Sequence, residues 1–236
     1  MNTLEIKDLH VRINQAHILH GVNFTAPQKQ VTALLGRNGV GKSTTLKAIM
    51  GLFPPTGSVR LNGEEIVGKQ THWIASHGVA YIPEDREIFA SLTVKENLAL
   101  ASRSRQSEEK IPFVYQIFPD LSSRGAQRAG TLSGGQQQML SISRALLNEN
   151  QILLVDEPTK GLAPKLVTEV ADALAKLAKR ETMILVEQNL ALVKRIAQKV
   201  VVMDQGRVVY EGGPEKLNDT TWVHSMLGVS NRSEHA

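Results

Sequence analysis

The sequence predicts an α/β fold: a sheet core faced by helices, a small antiparallel β region at the amino end, and an α-helical segment inserted between two core strands. Three observations carry this expectation. An apolar run over 30–35 stops abruptly at Gly36 and passes through a glycine-rich loop into a stretch of helical composition. A second continuous apolar run, over 151–155, ends in the acidic pair Asp156-Glu157. Beyond it strand-like and helix-like segments alternate, the pattern of a parallel sheet covered on both faces.

In chain order, Leu4–Val11 and Val22–Ala26 carry strand patterning, and Gln30–Leu35 reads as a buried strand feeding the loop. Thr44–Met50 has helical composition, and Gly51 with Pro54-Pro55 supplies a helix stop. Gly57–Asn62 and Val79–Ile82 read as further strands, the latter closed by Pro83. From 84 to 150 helical signals dominate, among them the capping box Thr93-Val94-Lys95-Glu96, so this stretch is expected to be a helical insert. Then follow strand Gln151–Val155, amphipathic helix Pro164–Lys179, strand Thr182–Val186 and helix Asn189–Gln198. Val200–Asp204 and Arg207–Glu211, joined across Gln205-Gly206, predict a closing hairpin, and the polar end 230–236 is expected to fray.

At 236 residues the chain fits a single domain, 1–236, with its insert. No window approaches the roughly 18 uninterrupted apolar residues of a membrane-spanning helix, and the first residues lack the order of a signal peptide. A cytosolic protein is therefore expected. The absence of cysteine excludes disulfides and thiol-based zinc sites. The net charge of +4 comes without a dense basic run interleaved with aromatics, so no nucleic-acid partner is expected.

The segment Gly36-Arg37-Asn38-Gly39-Val40-Gly41-Lys42-Ser43-Thr44 has the glycine spacing and the Lys-Ser ending of a phosphate-binding loop. Its glycines let backbone amides turn inward, Lys42 reaches the outer phosphates and so serves both binding and catalysis, and the Ser43 hydroxyl can ligate magnesium. The following helix adds a positive dipole end. Asp156 and Glu157 stand at the carboxyl end of a core strand, where ligands of α/β folds sit. There Asp156 is expected to hold magnesium and Glu157 to polarise the attacking water, because phosphoryl transfer chiefly needs positioning and charge compensation. Ser133-Gly134-Gly135-Gln136, after Leu132, is a second helix start with a capping box and two glycines, and so a second anion-binding position. One nucleotide already has its phosphates in the first loop, so this second one is expected to face another subunit's ATP.

In this order, the phosphate loop, Leu132–Gln136 and Ile152–Pro158 resemble the ATP-binding cassette family, over nearly the whole chain. The resemblance implies a P-loop NTPase core and cofactors ATP and Mg2+. It also implies a head-to-tail pair of ATPase subunits, each ATP lying between one phosphate loop and the other subunit's signature loop, with closure and hydrolysis moving integral-membrane permease subunits. Tyr81–Phe89, Gly161–Pro164 and Leu185–Asn189 further resemble the ATPase subunits of branched-chain amino-acid importers, with urea-type importers close. That subtype implies a sister ATPase chain as partner, an indirectly engaged solute-binding protein, and a peripheral position on the cytoplasmic face of the inner membrane. A soluble non-transport cassette and a non-hydrolysing regulatory cassette are the competing readings. Against the first stands an insert too short for long coiled coils, and against the second stands Glu157.

Four positions depart from the commonest family pattern. Glu84 stands where glutamine is usual, at a place the resemblance assigns to magnesium and the attacking water. A carboxylate there is expected to repel Glu157 unless something compensates. Gln188 replaces a histidine near the γ-phosphate; it can donate a hydrogen bond but cannot shuttle a proton. Ala163 replaces a helix-capping aspartate, and Ile13 aligns with the aromatic that stacks on adenine, where it can pack but not π-stack. The apolar residues Ile88, Phe89, Leu92, Phe113 and Phe118 of the insert look exposed, on the subdomain where the family receives a permease helix, and for any one of them a place in the insert's own core is an equal reading.

Overall fold

The computed structural model describes residues 2–228. Strands β1 (Asn2–Ile13) and β2 (Ala16–Pro27) form a long antiparallel hairpin turned at Asn14-Gln15, with Asn14 at φ 54°. Both strands run further than their alternation suggests, because register shifts around Ile6–His10, with Asp8 at φ 49° and Gly21 at φ 76°, break the period of two. Strand β3 (Val31–Leu35) leads into the glycine-rich loop and helix α1 (Lys42–Ile49). This helix begins two residues earlier than its composition indicates, because Gly41 at φ 104° serves as its N-cap and leaves Lys42 and Ser43 in the first turn.

Strands β4 (Pro55–Leu61) and β5 (Glu64–Glu65) complete the four-stranded antiparallel sheet β2-β1-β4-β5. A short helix α2 (Thr71–Ser76) precedes β6 (Val79–Ile82). The middle of the chain holds α3 (Val94–Ala101), α4 (Arg105–Glu108), α5 (Ile111–Ile117), α6 (Pro119–Ser123) and α7 (Gly134–Leu146). Both predicted capping boxes are formed, Thr93 with Glu96 at α3 and Ser133 with Gln136 at α7. There follow β7 (Ile152–Asp156), α8 (Pro164–Leu177), β8 (Met183–Val186), α9 (Leu190–Ile196), β9 (Lys199–Asp204), β10 (Arg207–Gly212) and α10 (Thr220–Leu227). The second sheet runs β10-β9-β3-β8-β7-β6 and is parallel from β9 to β6, with β10 antiparallel at one edge. Helices α2 and α10 escape the sequence pattern, each burying only one or two apolar side chains.

Alternation along the buried strands divides two cores. Val31, Ala33 and Leu35 of β3, with Leu153 and Val155 of β7, face a core shared with Val94, Leu98, Val114, Phe118, Leu121 and Leu140 of the helical stretch. Leu34, Ile152 and Leu154 face the other core, against Leu9, Val11, Leu19 and Phe24 of the antiparallel sheet. Phe118 thus corrects the expected apolar surface. It is 2% exposed and packs in the core, because the turn between α5 and α6 folds it inward. Ile88, Leu92 and Phe113 are half-buried, and only Phe89 of that set is exposed. The expected fraying of 230–236 lies outside the described residues.

Candidate functional site

Strand β3 delivers Gly36 to the carboxyl edge of the sheet with φ 146°, and a Cβ there would lie 2.3 Å from the Met203 carbonyl oxygen, so only glycine fits. The loop closes around the Lys42 ammonium, which donates to the carbonyls of Gly36 and Arg37 at 2.9 Å each. Burial lowers the Lys42 pKa, while the nearby carboxylates of Glu157 and Asp156 oppose the shift. A buried cation satisfied only by loop carbonyls suits a ligand of several anionic oxygens. Val40 turns its side chain into the core instead.

Strand β7 brings Asp156 to the same edge. Its Oδ1 accepts the Ser43 hydroxyl at 2.9 Å and its Oδ2 the Tyr81 hydroxyl at 3.2 Å. Burial raises the Asp156 pKa against those two hydrogen bonds, and the charges of Glu157 and Glu84 raise it further. Tyr81 itself is raised, by burial and then by Asp156. A hydroxyl and a carboxylate in contact fit a magnesium ion that takes its remaining ligands from phosphates and water. Among the described residues no three His, Asp or Glu side chains are grouped to hold a metal alone.

Glu157 follows in the left-handed region at φ 43°, its amide held by the Val186 carbonyl, and is 7% exposed. Its Oε1 accepts Gln188 Nε2 at 2.9 Å, and the same amide nitrogen donates to Asn38 Oδ1 at 2.8 Å. Its Oε2 lies 3.1 Å from Lys160 Nζ, an ion pair outside hydrogen-bonding geometry. Lys160 also lies 2.6 Å from Glu84 Oε1, and the contacts with Glu84 and then Glu157 raise its pKa. The compensation that Glu84 was expected to need is therefore a lysine, unnoticed in the sequence.

Asn38, Gly39, Gly41, Lys42, Ser43, Thr44, Glu84, Glu157 and Lys160 line one open cavity of about 270 Å³. A Cβ at Gly39 would meet nothing within 4 Å. A second cavity of about 420 Å³ lies beside Gly36–Asn38, walled by Glu187, Gln188 and the end of α10. Ser133, Gly134, Gly135 and Gln136 line neither cavity, and nor does Ile13, which packs half-buried on the antiparallel sheet. Gly135 lies against Leu166 of α8, where a Cβ would come within 2.7 Å of the side chain. Ala163 occupies the N-cap of α8 with no side-chain hydrogen bond, as its type dictates.

The residue that sequence reasoning passed over beside Gln188 is Glu187. This carboxylate, 4% exposed, accepts from the Thr159 amide (3.2 Å) and hydroxyl and from the amides of Gln188 (2.6 Å) and Asn189 (2.8 Å). It ties the loop after Glu157 to the loop carrying Gln188. An acid directly after an apolar strand was the available signal.

The sequence profile of ABC transporters matches residues 19–160. This chain belongs to that family. As an ABC transporter ATP-binding chain it binds ATP and is an ATPase. It is 39% identical to the high-affinity branched-chain amino acid transport ATP-binding protein BraG of Pseudomonas aeruginosa, over 89% of this chain and 93% of that one. It is 38% identical to the probable branched-chain amino acid transport ATP-binding protein LivF of Archaeoglobus fulgidus, over 89% and 91%. The crystal structure of an ABC transporter's ATP-binding cassette in its ADP conformation superposes with a TM-score of 0.85 at 25% identity, covering 96% of this chain and 97% of that one. No helix among the described residues is long and apolar enough to cross a membrane.

Proposed function

We propose that this cassette powers the import of branched-chain amino acids, as one of two ATPase subunits on the cytoplasmic face of a membrane permease, its ATPase partner being a sister chain. The observation that carries the reading is the convergence of Lys42, Ser43, Asp156, Glu157 and Gln188 on one sheet edge, in a chain similar along nearly its full length to BraG and LivF. Those two relatives favour this solute over urea. The 1–236 cassette acts as one unit, with 84–150 as the subdomain that meets the permease. A groove of about 350 Å³ walled by Tyr81, Pro83, Arg86, Leu100 and Arg144, with Phe89 stacked on Arg144, supports that docking face.

In the reaction, the amides of 36–44 and the Lys42 ammonium hold the outer phosphates, and Ser43 and Asp156, with Glu84 alongside, would hold Mg2+. The metal would neutralise charge developing on the phosphates. Glu157 takes the proton of the attacking water, and Gln188 orients that carboxylate by hydrogen bonding, with no proton transfer of its own. Ser133–Gln136 would contact the sister chain's ATP, and Ile13 would pack on adenine. Replacing Glu157 by Gln in the complex purified through this chain should cut magnesium-dependent phosphate release by about 10²–10⁴-fold while ATP still binds. Equal phosphate release from both proteins, or none from the unaltered complex, would overturn the reading. Loss of labelled leucine uptake on deleting the chain tests the solute.

A further inference from the structure

The site carries three acids, Glu84, Asp156 and Glu157, close to where a polyanion must enter. Two of them, Glu84 and Glu157, are held apart by a single cation. Lys160 Nζ stands 2.6 Å from one and 3.1 Å from the other and lines the same cavity as Lys42. With Gln188 on the opposite oxygen, both oxygens of Glu157 are engaged. Lys160 sits three residues beyond Glu157 and closes a turn by donating its amide to the Glu157 carbonyl at 3.1 Å, so its side chain returns over the acid that precedes it. Glu84 lies just past β6, at the start of the helical stretch.

We propose that Lys160 is a positioning residue for ATP hydrolysis: it is the counter-ion that allows an acid to stand at 84, and it keeps Glu157 aimed into the phosphate cavity. Without it, two carboxylates face each other and the incoming phosphates. Like charges a few ångströms apart in a partly buried site repel strongly, and Glu157 can relieve that repulsion by rotating its carboxylate away from the cavity. The same ammonium pins the exit of β6 to the exit of β7, so the helical stretch and Glu157 share one fixed point. The proposal rests on the reading of Glu157 as the base, and its consequence is specific: Lys160 is needed because position 84 is acidic.

The test is a set of variants in the complex purified through this chain: Lys160→Met, Lys160→Arg, Glu84→Gln, and Lys160→Met combined with Glu84→Gln. Lys160→Met should lower kcat by about tenfold or more, with KM for ATP changing less, the loss expected when a positioned charge is removed. Lys160→Arg should recover most of the rate. Lys160→Met should lower kcat by a smaller factor when made in Glu84→Gln than when made in the unaltered chain. In thermal unfolding of the isolated chain without nucleotide or magnesium, Lys160→Met should cost more with Glu at 84 than with Gln there. An unchanged or increased kcat in Lys160→Met, an equal fold-loss on Lys160→Met with Glu and with Gln at 84, or additive unfolding effects would each overturn the proposal. Glu157→Gln run alongside separates the two readings: full activity in that variant removes the proposed base, whereas the unfolding coupling stands or falls without reference to catalysis.

Discussion

Replacing Glu187 by Gln should destabilise this protein far more than an isosteric change usually does. The carboxylate is 4% exposed and receives four donors, two from Thr159 on one oxygen and the amides of Gln188 and Asn189 on the other. A carboxamide keeps one accepting oxygen and turns an NH2 group toward two N–H donors. Hydrogen bonds to a charged acceptor are worth about 1.5–3 kcal/mol each, and two are lost, so the cost is about 3–6 kcal/mol. For a chain of this size that corresponds to a fall in melting temperature of roughly 10 °C. Differential scanning calorimetry and urea unfolding of the purified chain measure it. Thr159→Val removes one of the four donors and should cost about half as much. A Glu187→Gln loss below about 1 kcal/mol would refute the reasoning, since the carboxylate would then not be organising its loops.

Ala163→Asp should stabilise the chain by about 0.5–1 kcal/mol, because the N-cap of α8 has extended backbone and no side-chain acceptor; a raised urea midpoint is the readout. Asp120 is held below the usual carboxylate range by Arg124, and also accepts Gln136 Nε2 at 2.6 Å. A depressed folded-state pKa contributes stability above the unfolded value of about 3.9 and loses it as pH falls through the folded value. The unaltered protein's advantage over Asp120→Asn in melting temperature should therefore hold near neutral pH and shrink below about pH 4. Combined with the loss of phosphate release in Glu157→Gln, these variants separate damage to the reaction from damage to the fold.

The elements that position the nucleotide were legible because their signals are local. Gly36 to Thr44, Asp156-Glu157 and the two capping boxes each declare themselves within a few residues, and the central strands are continuous apolar runs. The first half of β2 was not legible, because Asp8 and Gly21 shift the register and erase the alternation. Phe118 was misplaced because an apolar residue in a helical stretch gives no sign of which side its turn will face. Lys160 was invisible for a related reason: one of its two partners, Glu84, is brought to it only by the pairing of β6 with β7. Glu187 became meaningful only when the Thr159 loop was seen lying over it. Local chemistry reads from sequence, whereas a counter-ion reads from topology.

The sheet's two cores bear on how this protein can be recombined. The face that packs Val31, Ala33 and Leu35 is the same core that holds Val94, Leu98, Val114 and Phe118, so the interior of the helical stretch is continuous with that of the sheet. Gly135, pressed on Leu166, extends that continuity to α8. A chimera that exchanged 84–150 for a relative's segment would have to match the side chains of β3 and β7 that its helices pack against, Val31, Ala33, Leu35, Leu153 and Val155. Exchange at the exposed Phe89 and Leu100 leaves that shared interior untouched.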